Sequence, residues 1–319
     1  LDGNSHLEHE VVATPGGTGA VSMTIQECLD EGQTVILPEI AWGSYALMAQ
    51  MHNLEMAKYS LFEGDHFNIA SFKETCLETM KKQNKLVIVI NDPCHNPTGY
   101  SLTHEEWDEV ITFLNECSKT HAVVLLNDIA YIDFSSRQKE AKTYFGQFDK
   151  ISDNVIVVVS FSLSKSMTSY GLRCGAAIIL GQKKESVNQV KIVFEKNARA
   201  TWSNINKGAM GTFVDVLDNH GEEYDQERLK YVHLLKERGD IFTSEADEVG
   251  LKYYPYKEGF FVTLAMDNET RDKYHEALMA NNIFTVKVNL GIRVAICSLS
   301  VEKTKGLAKK MKDILDTIQ

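Results

Sequence analysis

The strongest constraint on the fold is an alternation of short apolar runs with longer amphipathic stretches over about the first 180 residues. The runs are rich in β-branched residues and apolar on both faces, as is typical of strands that helices cover on both sides. Strands are predicted at residues 34–37, 86–91, 122–127, 155–161 and 175–180. Helices are predicted after Gly19, over residues 69–83 and over residues 103–120, where Thr103 and Glu106 fit a capping box. The alternation predicts an α/β fold with a mainly parallel sheet flanked by helices.

The pattern changes after Lys183. A mostly helical region is predicted to about residue 243, then strands near residues 251–254, 260–264 and 292–296, and a final charged helix from Val301. The length of 319 residues fits about two domains of roughly 150 residues each. We therefore predict a large domain over residues 1–225 and a smaller α+β C-terminal domain over residues 226–319.

Charge and cysteine usage exclude some classes of partner and site. The chain carries 33 Lys and Arg against 44 Asp and Glu, a formal net charge of −11, which disfavours nucleic acid or an anionic membrane bound through bulk charge. The six cysteines are scattered, with no CxxC pair and no histidine cluster beside them. No metal site is therefore expected, and a reducing, cytoplasmic location is favoured. No apolar run approaches the length of a membrane span.

A glycine-rich segment, Gly16-Gly17-Thr18-Gly19-Ala20, precedes the first predicted helix. Small residues allow backbone N–H groups to approach an anion, and the positive end of the helix dipole favours negative charge there. The segment lacks the GK[ST] ending of a Walker loop. It predicts an anion site, with a plain turn before a helix as the alternative.

Three further loops with chemically useful side chains follow predicted strands. Lys165 comes just after the strand ending near Phe161 and is a candidate nucleophile, because desolvation can lower the pKa of a lysine. Arg173 lies eight residues later and offers a fork for phosphate. A solvated loop lysine and a surface ion pair are the respective alternatives.

The other two loops supply a carboxylate and neutral donors. Asp128 could pair with a cationic ring nitrogen, while Tyr131 and Asn96 offer hydrogen-bond donors to an oxyanion. Each could also be an ordinary turn with capping side chains. In doubly wound sheets, however, ligands bind beyond the carboxyl ends of the strands, where these loops would meet. An anion cradle, an amine, a carboxylate and neutral donors together match the needs of pyridoxal phosphate.

The motifs, taken in order, resemble those of class I aminotransferases of the aspartate and aromatic amino-acid kind, which are fold type I pyridoxal-phosphate enzymes. The resemblance runs from Gly16 to about Ser300, and the N-terminal segment with which family members begin is expected to be missing from this sequence. The motifs that carry it are GGTGA from Gly16, PxxxW ending at Trp42, NDPCHNPTG from Asn91, DIAY from Asp128, SxSK ending at Lys165, RATWSN from Arg199 and GIRVAIC from Gly291.

The resemblance implies a role for each matching residue. Lys165 is similar to the lysine that carries the cofactor and later moves the substrate proton, and Asp128 to the partner of the pyridine nitrogen. Tyr131 and Asn96 resemble donors to the ring oxygen, and Trp42 and Ala130 resemble the residues that cover the two ring faces. The residues that resemble the phosphate cup are Gly17, Thr18, Ser162 and Arg173.

Two arginines resemble substrate-binding residues of the family. Arg293 is similar to the arginine that binds the substrate α-carboxylate. Arg199 is similar to the arginine that enters the partner subunit's site and holds the side-chain carboxylate of a dicarboxylic substrate, which implies a homodimer with shared active sites. A helix-surface arginine is the alternative for Arg199.

The resemblance implies a transaminase that moves the amino group of aspartate or an aromatic amino acid to a 2-oxo acid such as 2-oxoglutarate. The expected kinetics are ping-pong. Two alternatives stay open at this stage. One is another pyridoxal-phosphate reaction on the same fold, such as a β-lyase or decarboxylase reaction, since fold does not fix function. The other is a non-catalytic cofactor-binding fragment.

Overall fold

A seven-stranded sheet organises most of the chain in the computed structural model, which describes residues 5–318. The spatial order of its strands is β1-β9-β8-β7-β6-β2-β3. Strands β8, β7, β6, β2 and β3 run parallel to one another, while β9 is antiparallel to both of its neighbours, β8 and β1. Their bounds are β1 Glu8–Thr14, β2 Thr34–Pro38, β3 Glu55–Tyr59, β6 Lys85–Asn91, β7 Ala122–Asp128, β8 Val155–Ser162 and β9 Gly175–Gly181.

Helices connect and cover these strands. The first part of the chain contains α1 Gly16–Cys28, α2 Ser44–Met51, α3 Ile69–Met80, α4 His104–Cys117, the single-turn α5 Leu163–Ser166 and α6 Lys184–Thr201. A two-stranded ribbon, β4 Phe62–Glu63 and β5 His66–Phe67, and 3₁₀ segments at Ile132–Phe134, Gln138–Lys150 and Tyr170–Leu172 complete it. The predicted capping box of α4 is present: the Thr103 hydroxyl accepts from the Glu106 N–H at 3.2 Å, and the Glu106 carboxylate accepts from the Thr103 N–H at 2.8 Å.

The sheet separates two hydrophobic layers, because successive side chains of a strand point to opposite faces. Along β6, Leu86, Ile88 and Ile90 pack into one layer with Trp107 of α4. Val87 and Val89 pack into the opposite layer with α1 and α6. Burial on both faces explains why these strands are continuous apolar runs, and it confirms the predicted α/β fold with a mainly parallel sheet flanked by helices.

The C-terminal part has its own small sheet and core. Helices α7 Lys207–Asn219 and α8 Gly221–Val249 lead into the antiparallel sheet β10-β12-β11. The remaining bounds are β10 Phe261–Ala265, α9 Asn268–Ala280, β11 Val286–Val288, β12 Gly291–Ala295, a 3₁₀ turn at Ile296–Ser298, α10 Val301–Thr304 and α11 Leu307–Asp316. The predicted domain division at residues 225/226 lies inside α8 and stays a prediction.

The sequence-based strand assignment is wrong at residues 251–254. Only Tyr253 pairs there, through an isolated bridge to Leu264. Pro255 follows directly and has no N–H to donate to a ladder, so the pairing does not extend. Within residues 5–318, no helix is long and apolar enough to cross a membrane.

Candidate active site

A small pocket opens at the carboxyl edge of the parallel strands. Strands β6, β7 and β8 end there in Asn91, Asp128 and Ser162. The pocket has a volume of about 120 Å³. All ten residues predicted to bind the cofactor line it: Gly17, Thr18, Trp42, Asn96, Asp128, Ala130, Tyr131, Ser162, Lys165 and Arg173. Tyr45, Asn91, Ser164 and Tyr170 complete the lining. Four loops that are far apart in sequence therefore meet, because β6, β7 and β8 are parallel neighbours whose carboxyl ends lie at the same edge of the sheet.

Asp128 is a buried carboxylate with two hydrogen bonds. Its Oδ2 accepts from the Tyr45 hydroxyl at 2.6 Å, and its Oδ1 accepts from the Ala130 N–H at 3.1 Å. Burial raises the pKa of Asp128, while these two donors and the charge of Lys165 counter part of that rise. A carboxylate in this position is available to pair with a cationic partner inside the pocket.

Lys165 lies on the single turn that follows β8. Ser162 caps this turn by accepting from the Ser164 N–H at 3.1 Å. The Lys165 Nζ is 5.6 Å from the ring centre of Tyr131 and 4.9 Å from that of Tyr170. Burial lowers the pKa of Lys165, and the charges of Arg173 and Arg293 lower it further against the opposing effect of Asp128. The neutral, nucleophilic form of Lys165 is therefore more accessible than that of an ordinary surface lysine.

Positive charge collects at one end of the pocket. Helix α1 begins at Gly16 without a side-chain cap, so its first N–H groups have no side-chain acceptor. The guanidinium of Arg173 lies against Gly16 and donates to the carbonyl oxygens of Pro15 at 3.0 Å and Tyr170 at 2.8 Å and to the Ser164 hydroxyl at 3.1 Å. These acceptors are all neutral, so the guanidinium charge remains available to an anion.

A polar chain links the pocket to the C-terminal part. The Asn96 N–H donates to Asn91 Oδ1 at 2.7 Å, and the Asn96 side chain reaches the Tyr131 hydroxyl at 3.5 Å. Asn96 Oδ1 accepts from Arg293 Nη1 at 2.9 Å. The Nε of Arg293 is buried and has no hydrogen-bond partner among the described residues, and its guanidinium lies 4.3 Å from the ring centre of Phe261. Within residues 5–318, the lining of this pocket does not include Arg293. It lines an adjacent cavity that shares Trp42, Tyr45 and Asn96 with the pocket, and it has unused donor capacity.

Two predicted site residues occupy different environments. Trp42 stands at the pocket wall, edge-on to the Tyr45 ring at a centroid distance of 5.3 Å. Arg199 is exposed on the last turn of α6, where its Nη1 donates to the Ser203 hydroxyl at 2.6 Å. Within the part of the chain that the structure describes, Arg199 is not a lining residue of the pocket.

Four lining residues were not among the predicted site residues. Asn91 and Ser164 lie within motifs quoted in the sequence analysis, whereas Tyr45 and Tyr170 lie outside them. Tyr45 lies on the first turn of α2, three residues after Trp42, which precedes the helix and contacts the Tyr45 ring edge-on. Tyr170 lies between Lys165 and Arg173. The sequence indicates either tyrosine only through its nearness to a predicted site residue.

Comparisons with known proteins agree with this geometry. The family model described as "Aminotransferase class I and II" matches residues 3–311. An aminotransferase from Anaerococcus prevotii has a crystal structure that superposes with a TM-score of 0.93 at 35% identity, over 97% of this chain and 76% of that one. An aromatic amino acid aminotransferase from Burkholderia cenocepacia has the same fold, with a TM-score of 0.78 at 16% identity, over 97% of this chain and 76% of that one.

A sequence relative points the same way over a shorter span. The aromatic-amino-acid aminotransferase of Pseudomonas aeruginosa is 26% identical over 201 residues, which are 61% of this chain. The chain spans about half of that relative's length, 47%. Because the family model covers nearly all of the sequence and the fold is that of its structural neighbours, the chain belongs to the class I and II aminotransferase family, whose members are fold type I enzymes that use pyridoxal 5′-phosphate.

Proposed function

We propose that this protein is a pyridoxal-phosphate-dependent aminotransferase that moves the amino group of aspartate or an aromatic amino acid to a 2-oxo acid such as 2-oxoglutarate. The observation that carries the proposal is the convergence of Lys165, Asp128 and Arg173 in one pocket, with Arg293 joined to the pocket lining through Asn96. An amine, a carboxylate and two arginines with free donor capacity are what a lysine-bound cofactor and an amino-acid substrate require.

The residues present fit this cofactor. The N-terminus of α1 and Arg173 form the anion end, where they would hold the phosphate. Gly17 lies within the same wall: a Cβ on it would lie 3.1 Å from Ser160 Oγ and 3.3 Å from Ser162 Cβ. Asp128 lies on the floor, where it would accept from the ring nitrogen, and Trp42 would cover one ring face.

The chain's own groups account for the chemistry around the bound cofactor. When bound, pyridoxal phosphate supplies an electron sink for the substrate α-carbon as its proton leaves. Lys165 lines the pocket, where it is half-buried, and would take that proton and later return it; the lowering of its pKa by burial favours the neutral amine that accepts the proton. Asp128 would keep a proton on the ring nitrogen.

Arg293 and Asn96 would bind the substrate α-carboxylate. Arg293 Nη1 already donates to Asn96 Oδ1, and its Nε is buried with no hydrogen-bond partner among residues 5–318. A carboxylate presents two oxygens, which a guanidinium can hold through paired hydrogen bonds. This contact would orient the α-carbon toward Lys165.

The proposal extends to how the subunits assemble and where in the cell the protein lies. We propose a homodimer in which Arg199 of one subunit serves its partner's site, which is supported by its exposed position away from the pocket of its own chain. We propose a cytoplasmic location, which is supported by the six cysteines, all free.

The proposal is tested by measuring amino transfer directly. Cofactor-loaded protein is incubated with 2-oxoglutarate and, in separate reactions, L-aspartate, L-tyrosine or L-phenylalanine, and glutamate is quantified by mass spectrometry. We expect glutamate with at least one donor and none above background with Lys165→Ala. No glutamate with any of the three, or equal glutamate from the variant, would refute the proposal.

A further inference from the structure

A buried carboxylate outside the pocket joins the C-terminal part to the loops that carry the site. Glu258 is only 3% exposed, and its two oxygens accept from four residues. Oε1 accepts from the Ser101 hydroxyl at 2.7 Å and from Arg137 at 3.1 Å, and Oε2 accepts from the Ser135 hydroxyl at 2.6 Å and the Ser136 N–H at 2.8 Å. These donors come from two segments that follow β6 and β7.

The carboxylate is held in its charged form. Burial alone would raise the pKa of Glu258, but the hydrogen bond from Ser135, the charge of Arg137 and the remaining donors outweigh it and leave the pKa below its usual value. A buried ionised group needs several donors to offset its desolvation. The network is therefore specific for a carboxylate. A glutamine at this position would place its NH₂ group, which is a hydrogen-bond donor, against serine and arginine groups that also donate.

Glu258 stands directly before the strand that contacts the site. Phe260 and Phe261 follow it, and their rings lie 5.1 and 5.8 Å from the Tyr131 ring. Gly259 has a φ of +95° and approaches Cys94 so closely that a Cβ would lie 2.7 Å from the Cys94 Cβ. The connection between Glu258 and β10 thus has little room to move.

Several hydrogen bonds join the 96–101 segment to the small sheet and to the residues that precede it. The backbone N–H groups of Lys257 and Glu258 donate to the Gly99 carbonyl oxygen at 2.9 and 3.0 Å. Ser101 donates to Glu258, Thr263 donates to the Pro97 carbonyl oxygen at 2.6 Å, and Arg293 donates to Asn96 at 2.9 Å. Thr263 of β10 is paired across the sheet with Arg293 of β12. The position of Arg293 relative to the pocket therefore depends on how β10 is held, by Glu258 before the strand and by Thr263 within it.

We propose that Glu258 is a positioning residue, which fixes β10 against the 96–101 and 135–137 segments and so holds Arg293 where the substrate α-carboxylate binds. The inference rests on the proposed function, in which Arg293 binds that carboxylate. A misplacement of about 1 Å can cost about a hundredfold in rate, and the loss of a contact made equally with substrate and transition state raises KM with kcat unchanged. The loss of Glu258 should therefore weaken substrate binding more than it slows turnover.

The test is Glu258→Gln, with Glu245→Gln as the matched control. Glu245 is a half-buried carboxylate on the same part of the chain that accepts one hydrogen bond, from the Gly306 N–H at 2.7 Å, so it joins α8 to the start of α11 and does not line the pocket. In the cofactor-loaded enzyme we expect Glu258→Gln to raise the KM for the amino-acid donor by about tenfold, with kcat changed by less than about twofold. The control should leave KM unchanged.

A second measurement does not depend on activity. Hydrogen–deuterium exchange of the unloaded proteins should be faster over residues 96–101 and 260–264 in Glu258→Gln, and unchanged there in Glu245→Gln. Unchanged exchange in these segments, or an unchanged KM, overturns the inference. If the wild type fails to transaminate, the proposed function fails, while the exchange experiment still decides whether Glu258 holds β10. If Glu258→Gln does not fold, Ser135→Ala is the substitute, because it removes one of the hydrogen-bond donors to Glu258. For this variant we expect faster exchange in the same segments and a KM for the amino-acid donor raised by about threefold.

Discussion

Gly16 offers the sharpest test of the proposed phosphate site, because one methyl group there has two separable effects. Its φ of +72° lies in the left-handed region, where an L-residue with a Cβ costs about 1–2 kcal/mol. A Cβ at Gly16 would also lie 2.5 Å from Arg173 Nη2. That atom ends a flexible side chain, so the overlap is relieved by moving the guanidinium away.

The two effects should appear in different measurements. The backbone strain lowers the free energy of unfolding by about 1–2 kcal/mol. Displacement of Arg173 removes a charge-assisted contact to the phosphate, worth about 1.5–3 kcal/mol, which corresponds to an increase in the Kd for pyridoxal phosphate of roughly tenfold to a hundredfold.

Gly32 is the matched control, since its φ is +79° and a Cβ there would meet nothing within 4 Å. We expect Gly16→Ala and Gly32→Ala to lose similar unfolding free energy in urea, measured without cofactor. Titration with pyridoxal phosphate, followed by visible absorbance, should show weakened binding for Gly16→Ala alone. Equal Kd values for the two variants would refute the reasoning.

Three further predictions concern substrate binding, the lysine and the fold. Arg293→Lys keeps the charge but loses the two-pronged geometry, so the KM for the amino-acid donor should rise about tenfold or more; an unchanged KM in steady-state assays would contradict this role. Because burial lowers the pKa of Lys165, its neutral form persists to lower pH than that of an ordinary surface lysine. Reductive methylation of the unloaded protein, read by peptide mapping, should therefore modify Lys165 at pH values where surface lysines react slowly, and a pH profile like theirs would argue against the lowered pKa. Thr103→Ala removes the cap of α4 and should cost about 1 kcal/mol of unfolding free energy in urea with kcat unchanged; a cost near zero would show that the cap contributes little.

Local pattern predicts the sheet well where burial on both faces forces apolar runs, as in β6 and β8. It misses the edges: β1, with the sequence EHEVVAT, and β3 are the two outer strands of the sheet among the described residues, where they pair with β9 and β2. Such strands carry polar residues on their exposed side, so the pattern of apolar residues is weak evidence for a strand there. The site residues were accessible to sequence reasoning because they follow strand ends, where topology brings loops together.

Contacts between distant residues are what the sequence does not reveal. The Tyr45 hydroxyl meets Asp128 across 83 positions, and Ser101 meets Glu258 across 157. Neither pair shares a helix or a strand, so no periodicity connects its members. The close approach of Arg173 to Gly16 is of the same kind, since a left-handed φ at each residue sets it.

The visible absorption spectrum of the purified, cofactor-loaded protein tests the central claim most directly. The account predicts a band from cofactor bound to Lys165 that bleaches when L-aspartate or an aromatic amino acid is added and returns when 2-oxoglutarate follows. Lys165→Ala should lack this response. A band that no amino acid changes, or no band in the presence of excess pyridoxal phosphate, would contradict the account.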